Sequence, residues 1–124
     1  MNCVLQRRTV HELSVCQALV AQVEQIAISH QALCVESVKL RIGPLSGVET
    51  LLLQHAYPFA SAGTVADHSK LVIETVPLKV SCETCEAETE AEPGWLICGV
   101  CGSNYTKLVS GDEMTLMSVE LVMS

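Results

Sequence analysis

The chain has 124 residues, of which 49% are hydrophobic and 3% aromatic, and its formal net charge is −7. That length suits one compact domain, or one domain with a small appendage, and a core made of Leu, Val, Ile and Ala whose limited burial a metal clip would usefully supplement. Nucleic acid is disfavoured as the main ligand, because binding to phosphates draws on Lys and Arg, and here seven such residues stand against fourteen acids.

The first nine residues (MNCVLQRRT) hold an Arg pair but no apolar run behind it, so they do not read as a secretory signal. From about Val10 to His30 the apolar residues Leu13, Cys16, Val20, Val23 and Ala27 fall at helical spacing. Thr9 and Glu12 have the spacing of a capping box, so the helix is expected to start there. Val35 to Ile42 alternates, which predicts a half-buried strand, and Gly43-Pro44 ends it. Ser46 and Glu49 offer a second capping box that opens a helix through Leu51, Leu52 and His55. Pro58 is expected to kink that helix or end it early. A strand is expected from about Leu71 to Val80. Two more follow over Tyr105–Val109 and Met114–Val122, joined by a turn at Ser110-Gly111-Asp112. This order predicts an α+β fold, a small mixed sheet packed by two helices, with a cysteine-rich segment inserted between two strands. No apolar run is long enough to span a membrane.

That segment carries the most specific signal. Cys82-Glu-Thr-Cys85 and Cys98-Gly-Val-Cys101 are two knuckles separated by twelve residues. Two residues between thiolates let one tight turn aim both sulfurs at one ion, and four thiolates complete a closed tetrahedron. Gly99 and Gly102 are expected to supply positive φ angles. Such a site retains structural zinc and leaves no open position for activating water. A disulfide pair, a rubredoxin-type iron site and a redox CxxC share the spacing. Zinc is favoured because the segment has little else to hold it folded. Seven cysteines with four in knuckles do not read as a secreted disulfide framework, so a reducing cytoplasm is the expected setting. Cys16 and Cys34 read as small buried hydrophobes, and Cys3 has no assigned role. No phosphate-cradling glycine loop, Ser/His/Asp arrangement or paired catalytic carboxylates emerge, so no enzymatic turnover is expected.

A longer pattern runs across the chain. Val10-His11-Glu12-Leu13-Ser14 is followed by Arg41-Ile-Gly-Pro-Leu-Ser-Gly-Val-Glu49, Gly63-Thr-Val-Ala-Asp67, Leu71-Val-Ile-Glu74 and Val76-Pro77. The knuckles come next, then Gly111-Asp-Glu-Met114 and Ser118-Val-Glu120. In order and spacing these stretches resemble the HypA/HybF nickel metallochaperones of hydrogenase maturation, from about Val10 to Val122. The resemblance implies Ni(II) held near the N-terminus and passed to the [NiFe]-hydrogenase large-subunit precursor, with a HypB-type GTPase as partner. His11 would supply the imidazole, and the amides of His11 and Glu12 the main-chain nitrogen. Nitrogen donors in a plane suit Ni(II). The Glu12 side chain would orient rather than ligate. Glu49 matches an acidic position of the family that would support the first helix; its plainer reading is the Glu of the Ser46 capping box.

Val10 stands where that family has its initiator Met, so no free amine lies beside His11. Either the recorded start is too early, with a valine codon read as Met, which is the reading favoured here, or the extension is real and nickel is bound more weakly or differently. The expected organisation is an extension over 1–9, a nickel-binding α+β domain over 10–80 and 104–124, and a zinc domain over 81–103. A monomer or weak homodimer is expected. The resemblance does not separate the HypA and HybF branches and leaves delivery to urease open. His30 reads as a cation at a helix C-terminus, and His55 and His68 as surface or partly buried residues. The runner-up is a zinc-ribbon module that binds protein or assists at nucleic acid. It needs a basic face or stacking aromatics, but beside Trp95 and Tyr105 stand Glu83, Glu86, Glu88, Glu90 and Glu92. An iron electron carrier would be coloured.

Overall fold

The computed structural model describes the backbone of residues 3–124 and the side chains of residues 12–124. In chain order the elements are α1 (Cys3–Ser29), β1 (Cys34–Ile42), α2 (Thr50–Ser61), β2 (Lys70–Thr75), β3 (Lys79–Cys82), β4 (Glu88–Glu90), β5 (Thr106–Ser110) and β6 (Met114–Val122). The class is α+β, with two three-stranded sheets, ordered β2-β1-β6 and β4-β3-β5.

The first helix begins well before the expected cap, so Thr9 lies inside it. Neither Gly nor Pro stands between Cys3 and Val10 to stop it, and Leu, Gln and Arg are good helix formers. From Glu12 on, the buried positions Glu12, Cys16, Leu19, Val20, Val23 and Ala27 recur every three or four residues, and this face meets α2. The helix ends in a Schellman arrangement. Gln31 takes a left-handed φ of 55°, and the amides of Ala32 and Gln31 donate to the carbonyls of Ala27 (3.0 Å) and Ile28 (3.1 Å).

Helix α2 differs from expectation at both ends. Its N-cap residue is Glu49, with no side-chain cap hydrogen bond, while the Ser46 hydroxyl accepts from the Val48 amide at 3.3 Å. The expected Ser46–Glu49 box is therefore absent, and Ser46 closes a local turn. Pro58 lies within the helix, which runs on to Ser61. Buried Tyr57 and Ser61 hold this last turn: the Tyr57 hydroxyl lies 2.7 Å from that of Ser69, and the Thr64 hydroxyl donates to the Ser61 carbonyl at 2.7 Å.

The strand expected over residues 71–80 is two strands in different sheets. Pro77 has no amide to continue a ladder, and the break falls around it, with β2 ending at Thr75 and β3 beginning at Lys79. Likewise β5 and β6 are not a hairpin, because each joins a different sheet. Between them Gly111 adopts φ 123°. A Cβ built on Gly43 would lie 2.2 Å from the Gly111 carbonyl oxygen, so this close approach of two backbones requires glycine at position 43. In the second sheet β3 pairs antiparallel with both β4 and β5, with an irregularity at Lys79/Val80.

The chain divides into two compact units: residues 1–40, 49–73 and 116–124, and residues 41–48 and 74–115. The first holds both helices, and its core includes Cys16, Val23, Val38, Leu40 and Leu53, all at most 1% exposed. Burying each Val or Leu of this set contributes about 1.5–3 kcal/mol. The second holds the β4-β3-β5 sheet and the cysteine knuckles, with Leu78, Val80, Cys82 and Cys98 inside. Among the described residues no helix is long and apolar enough to cross a membrane.

Candidate metal centres

The two knuckles hang from the second sheet. Cys82 is the last residue of β3, and Cys98 follows the bridge between Glu92 and Trp95. The four sulfurs of Cys82, Cys85, Cys98 and Cys101 all lie within 4.8 Å of one another, with Cys82–Cys101 at 3.5 Å and Cys85–Cys98 at 3.6 Å. Ligands at about 2.3 Å around tetrahedral zinc are separated by about 3.8 Å, so the spacing fits four thiolates on one dication.

Each knuckle is braced in the same way. The amides of Thr84 and Cys85 point at the Cys82 sulfur (3.3 and 3.4 Å), and those of Val100 and Cys101 at the Cys98 sulfur (3.3 and 3.5 Å). The turn closes through Glu86 N to Cys82 O and Gly102 N to Cys98 O, both 3.0 Å. The residues that close it are left-handed, Glu86 at φ 64° and Gly102 at φ 77°. Gly102 has the positive φ expected of it, Gly99 does not, and Glu86 takes one without being glycine. Gly99 is not in the left-handed region; it lies close to Thr89, whose hydroxyl accepts its amide at 2.9 Å. The repeat of the residue directly after each CxxC was the available signal.

These amide dipoles split the four thiols. Donation by the Cys85 amide, against desolvation and with help from Thr84, draws Cys82 down to about 6, and the amides of Cys101 and Val100 lower Cys98. At Cys85 the Ala87 amide pulls the other way, but desolvation and the neighbouring sulfurs prevail and the thiol is pushed up to about 12. Cys101 is also raised: the Ser103 amide lowers it, but crowding by the Cys82 sulfur and desolvation outweigh that. Cys82 and Cys98 thus give up their protons more readily than Cys85 and Cys101, which part with theirs to an arriving metal. The cluster suits structural zinc, which would serve as a cross-link between β3 and the second knuckle.

The second candidate site lies on the first helix. The side chain of His11 is outside the described residues. Glu12 is only 3% exposed, and its carboxylate accepts the amide of Glu49 at 3.1 Å. It therefore caps α2 from another helix, where a negative charge meets the positive end of the helix dipole. Local spacing pairs Glu12 with Thr9 and Glu49 with Ser46. The fold joins Glu12 to Glu49 instead, across 37 positions. The remaining histidines stay apart. His30 Nδ1 lies 2.9 Å from the Ile26 carbonyl, His68 is 3.7 Å from the Asp67 carboxylate, and exposed His55 lines an apolar depression with Glu12, Leu13, Leu52, Ala56 and Phe59. Cys16 is fully buried, its sulfur 3.5 Å from the Leu53 carbonyl, and burial followed by the charge of Glu12 pushes its thiol up to about 11.

Comparison with known proteins shows the family. The family described as "Hydrogenase/urease nickel incorporation, metallochaperone, hypA" matches residues 10–121. The hydrogenase maturation factor HypA of Nitrosospira multiformis is 64% identical over 112 residues, covering 90% of this chain and 97% of that protein. That of Aquifex aeolicus is 40% identical over 111 residues, covering 90% and 96%. The solution structure of the Ni metallochaperone HypA from Helicobacter pylori superposes with a TM-score of 0.63 at 25% identity, covering 91% of this chain and 98% of that one. A second HypA solution structure gives 0.70 at 26% identity, covering 93% and 98%. The chain belongs to the HypA family of nickel-incorporation metallochaperones.

Proposed function

We propose that this chain binds Ni(II) at His11 and Glu12, in the first half of α1, and delivers it to the large-subunit precursor of a [NiFe]-hydrogenase. A HypB-type GTPase serves as its partner, the setting is the cytoplasm, and the chain turns over no substrate of its own. His11 supplies an imidazole, and the main-chain nitrogens of positions 11 and 12 supply in-plane donors, a set that suits Ni(II) over zinc. Residues 10–80 with 104–124 carry this cargo site. Residues 81–103 hold the resident zinc on Cys82, Cys85, Cys98 and Cys101.

The observation that carries the reading is the buried Glu12 carboxylate bound to the Glu49 amide. A side chain so committed is a positioning group rather than a metal ligand. It ties the helical turn next to His11 to the start of α2, a firm base for a site that must both select and release its ion. Glu49 takes part through its backbone. Amides inside α1 are engaged in the helical ladder, so planar coordination through positions 11 and 12 requires the helix to begin there or to open ahead of them.

Nickel titration followed by absorbance and metal analysis tests this on two proteins: the chain as given, and one beginning with Met at position 10. The second is expected to bind one Ni(II) in a diamagnetic planar site and more tightly than the first. His11→Ala should lose nickel while keeping zinc. Unchanged nickel binding by His11→Ala would overturn the assignment.

A further inference from the structure

The cysteine module carries its largest apolar side chains on the outside. Trp95, Val100 and Tyr105 are 65, 69 and 72% exposed. Single exposed hydrophobes mean little, but the chain segments that carry two of these are joined. The Thr106 hydroxyl donates to the Leu96 carbonyl at 2.7 Å, joining the residues that directly follow Tyr105 and Trp95. Their backbones are pinned as well. The Trp95 amide donates to Glu92 O (2.9 Å), the Tyr105 amide to the Ser103 hydroxyl (3.1 Å), and the Tyr105 carbonyl accepts the Glu83 amide (2.8 Å). A rigid backbone under an exposed indole and phenol is the form of an interface anchor, since little conformational entropy is left to lose on binding.

The charge around this pair says what it fits. From Val80 to Thr106 the chain has Glu83, Glu86, Glu88, Glu90 and Glu92 and no Lys or Arg. All five glutamates are exposed. Glu92 bridges to Trp95, and Glu83 adjoins Tyr105. Glu88 and Glu90 share one face of β4, because Thr89 between them turns to the Gly99 amide. The cations at the margin are Lys107, 3.1 Å from Glu83, and Lys79, opposite Glu90 in the ladder. Four thiolates on a dication would add further negative charge.

We propose that this face docks an arginine-bearing cationic segment of a partner protein. A guanidinium stacks on the indole or phenol, where its planar charge meets the ring face, and flanking cations meet the glutamates. The same carboxylates repel phosphates, which sets nucleic acid aside.

Trp95 is the sole tryptophan of the chain, so its emission reports on this face alone. The test titrates octa-arginine into the zinc-loaded full chain at about 0.15 M salt, near-physiological screening. Saturable quenching is expected, with octa-lysine binding more weakly. Tyr105→Leu, at an exposed position and with zinc content checked, should weaken binding roughly three-fold, the scale of one exposed cation–π contact. Glu88→Gln with Glu90→Gln should weaken it too. No change in emission would overturn the proposal. So would equal affinity of Tyr105→Leu and the parent, which would mean diffuse attraction, or quenching by an oligouridylate as strong as that by octa-arginine.

Discussion

Replacing Glu12 by alanine isolates one buried polar contact between the two helices. The carboxylate is 3% exposed and accepts the Glu49 amide at 3.1 Å, and α2 has no side-chain cap of its own. A buried hydrogen bond to a charged group contributes about 1.5–3 kcal/mol. The charge–dipole attraction at a helix N-terminus, up to about 2 kcal/mol, belongs to the same contact and is not added to it. Release of the carboxylate's desolvation cost offsets part of the total. Glu12→Ala should therefore cost about 2 kcal/mol, and Glu12→Gln, which keeps an acceptor, about half that. The assay is urea unfolding followed at 222 nm, since both helices lie in the first unit. With a slope of about 2 kcal/mol per molar urea, the midpoint should fall by about 1 M for alanine. A second readout is the Cys16 thiol, held at about 11 by burial first and the Glu12 charge second. Both variants should bring it down while leaving it above its ordinary 9.0. An unchanged urea midpoint for Glu12→Ala would refute the reasoning.

Gly43→Ala would set a Cβ 2.2 Å from the Gly111 carbonyl oxygen, with no flexible side chain to yield, so thermal unfolding should show a loss of about 3 kcal/mol. Gly47→Ala meets nothing within 4 Å and should cost only about 1 kcal/mol for its φ of 81°. Zinc uptake at pH 7, followed by calorimetry in buffers of different ionisation enthalpy, should release protons, those of Cys85 and Cys101 foremost. Affinity should fall as pH falls, and more steeply below about 6, where Cys82 also takes up a proton. Glu113 is held below its ordinary value first by the Gly111 amide, 2.6 Å from its carboxylate. Its contribution to stability should be fully present above pH 4.5 and lost as pH falls through the lower folded value. Glu113→Gln should remove that part of the acid dependence, read from unfolding midpoints between pH 3 and 6.

What the sequence determined alone was chemistry encoded locally. A CxxC turn aims its sulfurs whatever surrounds it, so the knuckles were legible as one cluster, and helical and alternating periodicities located α1 from Glu12 onward and β1. The motif order pointed to the family. Tertiary structure decided what depends on distant chain segments. Capping is a contest among nearby acceptors, and the Glu12 carboxylate, buried by packing of α1 on α2, wins the Glu49 amide that local spacing had assigned to Ser46. Strand partnership is likewise a long-range choice. Pro77 interrupts the ladder, and the close approach of Gly43 to Gly111 brings together chain segments far apart in sequence, so β2 with β3, and β5 with β6, join different sheets although periodicity read the first pair as one strand and the second as a hairpin. Periodicity reports which face is buried; only the folded chain decides against what.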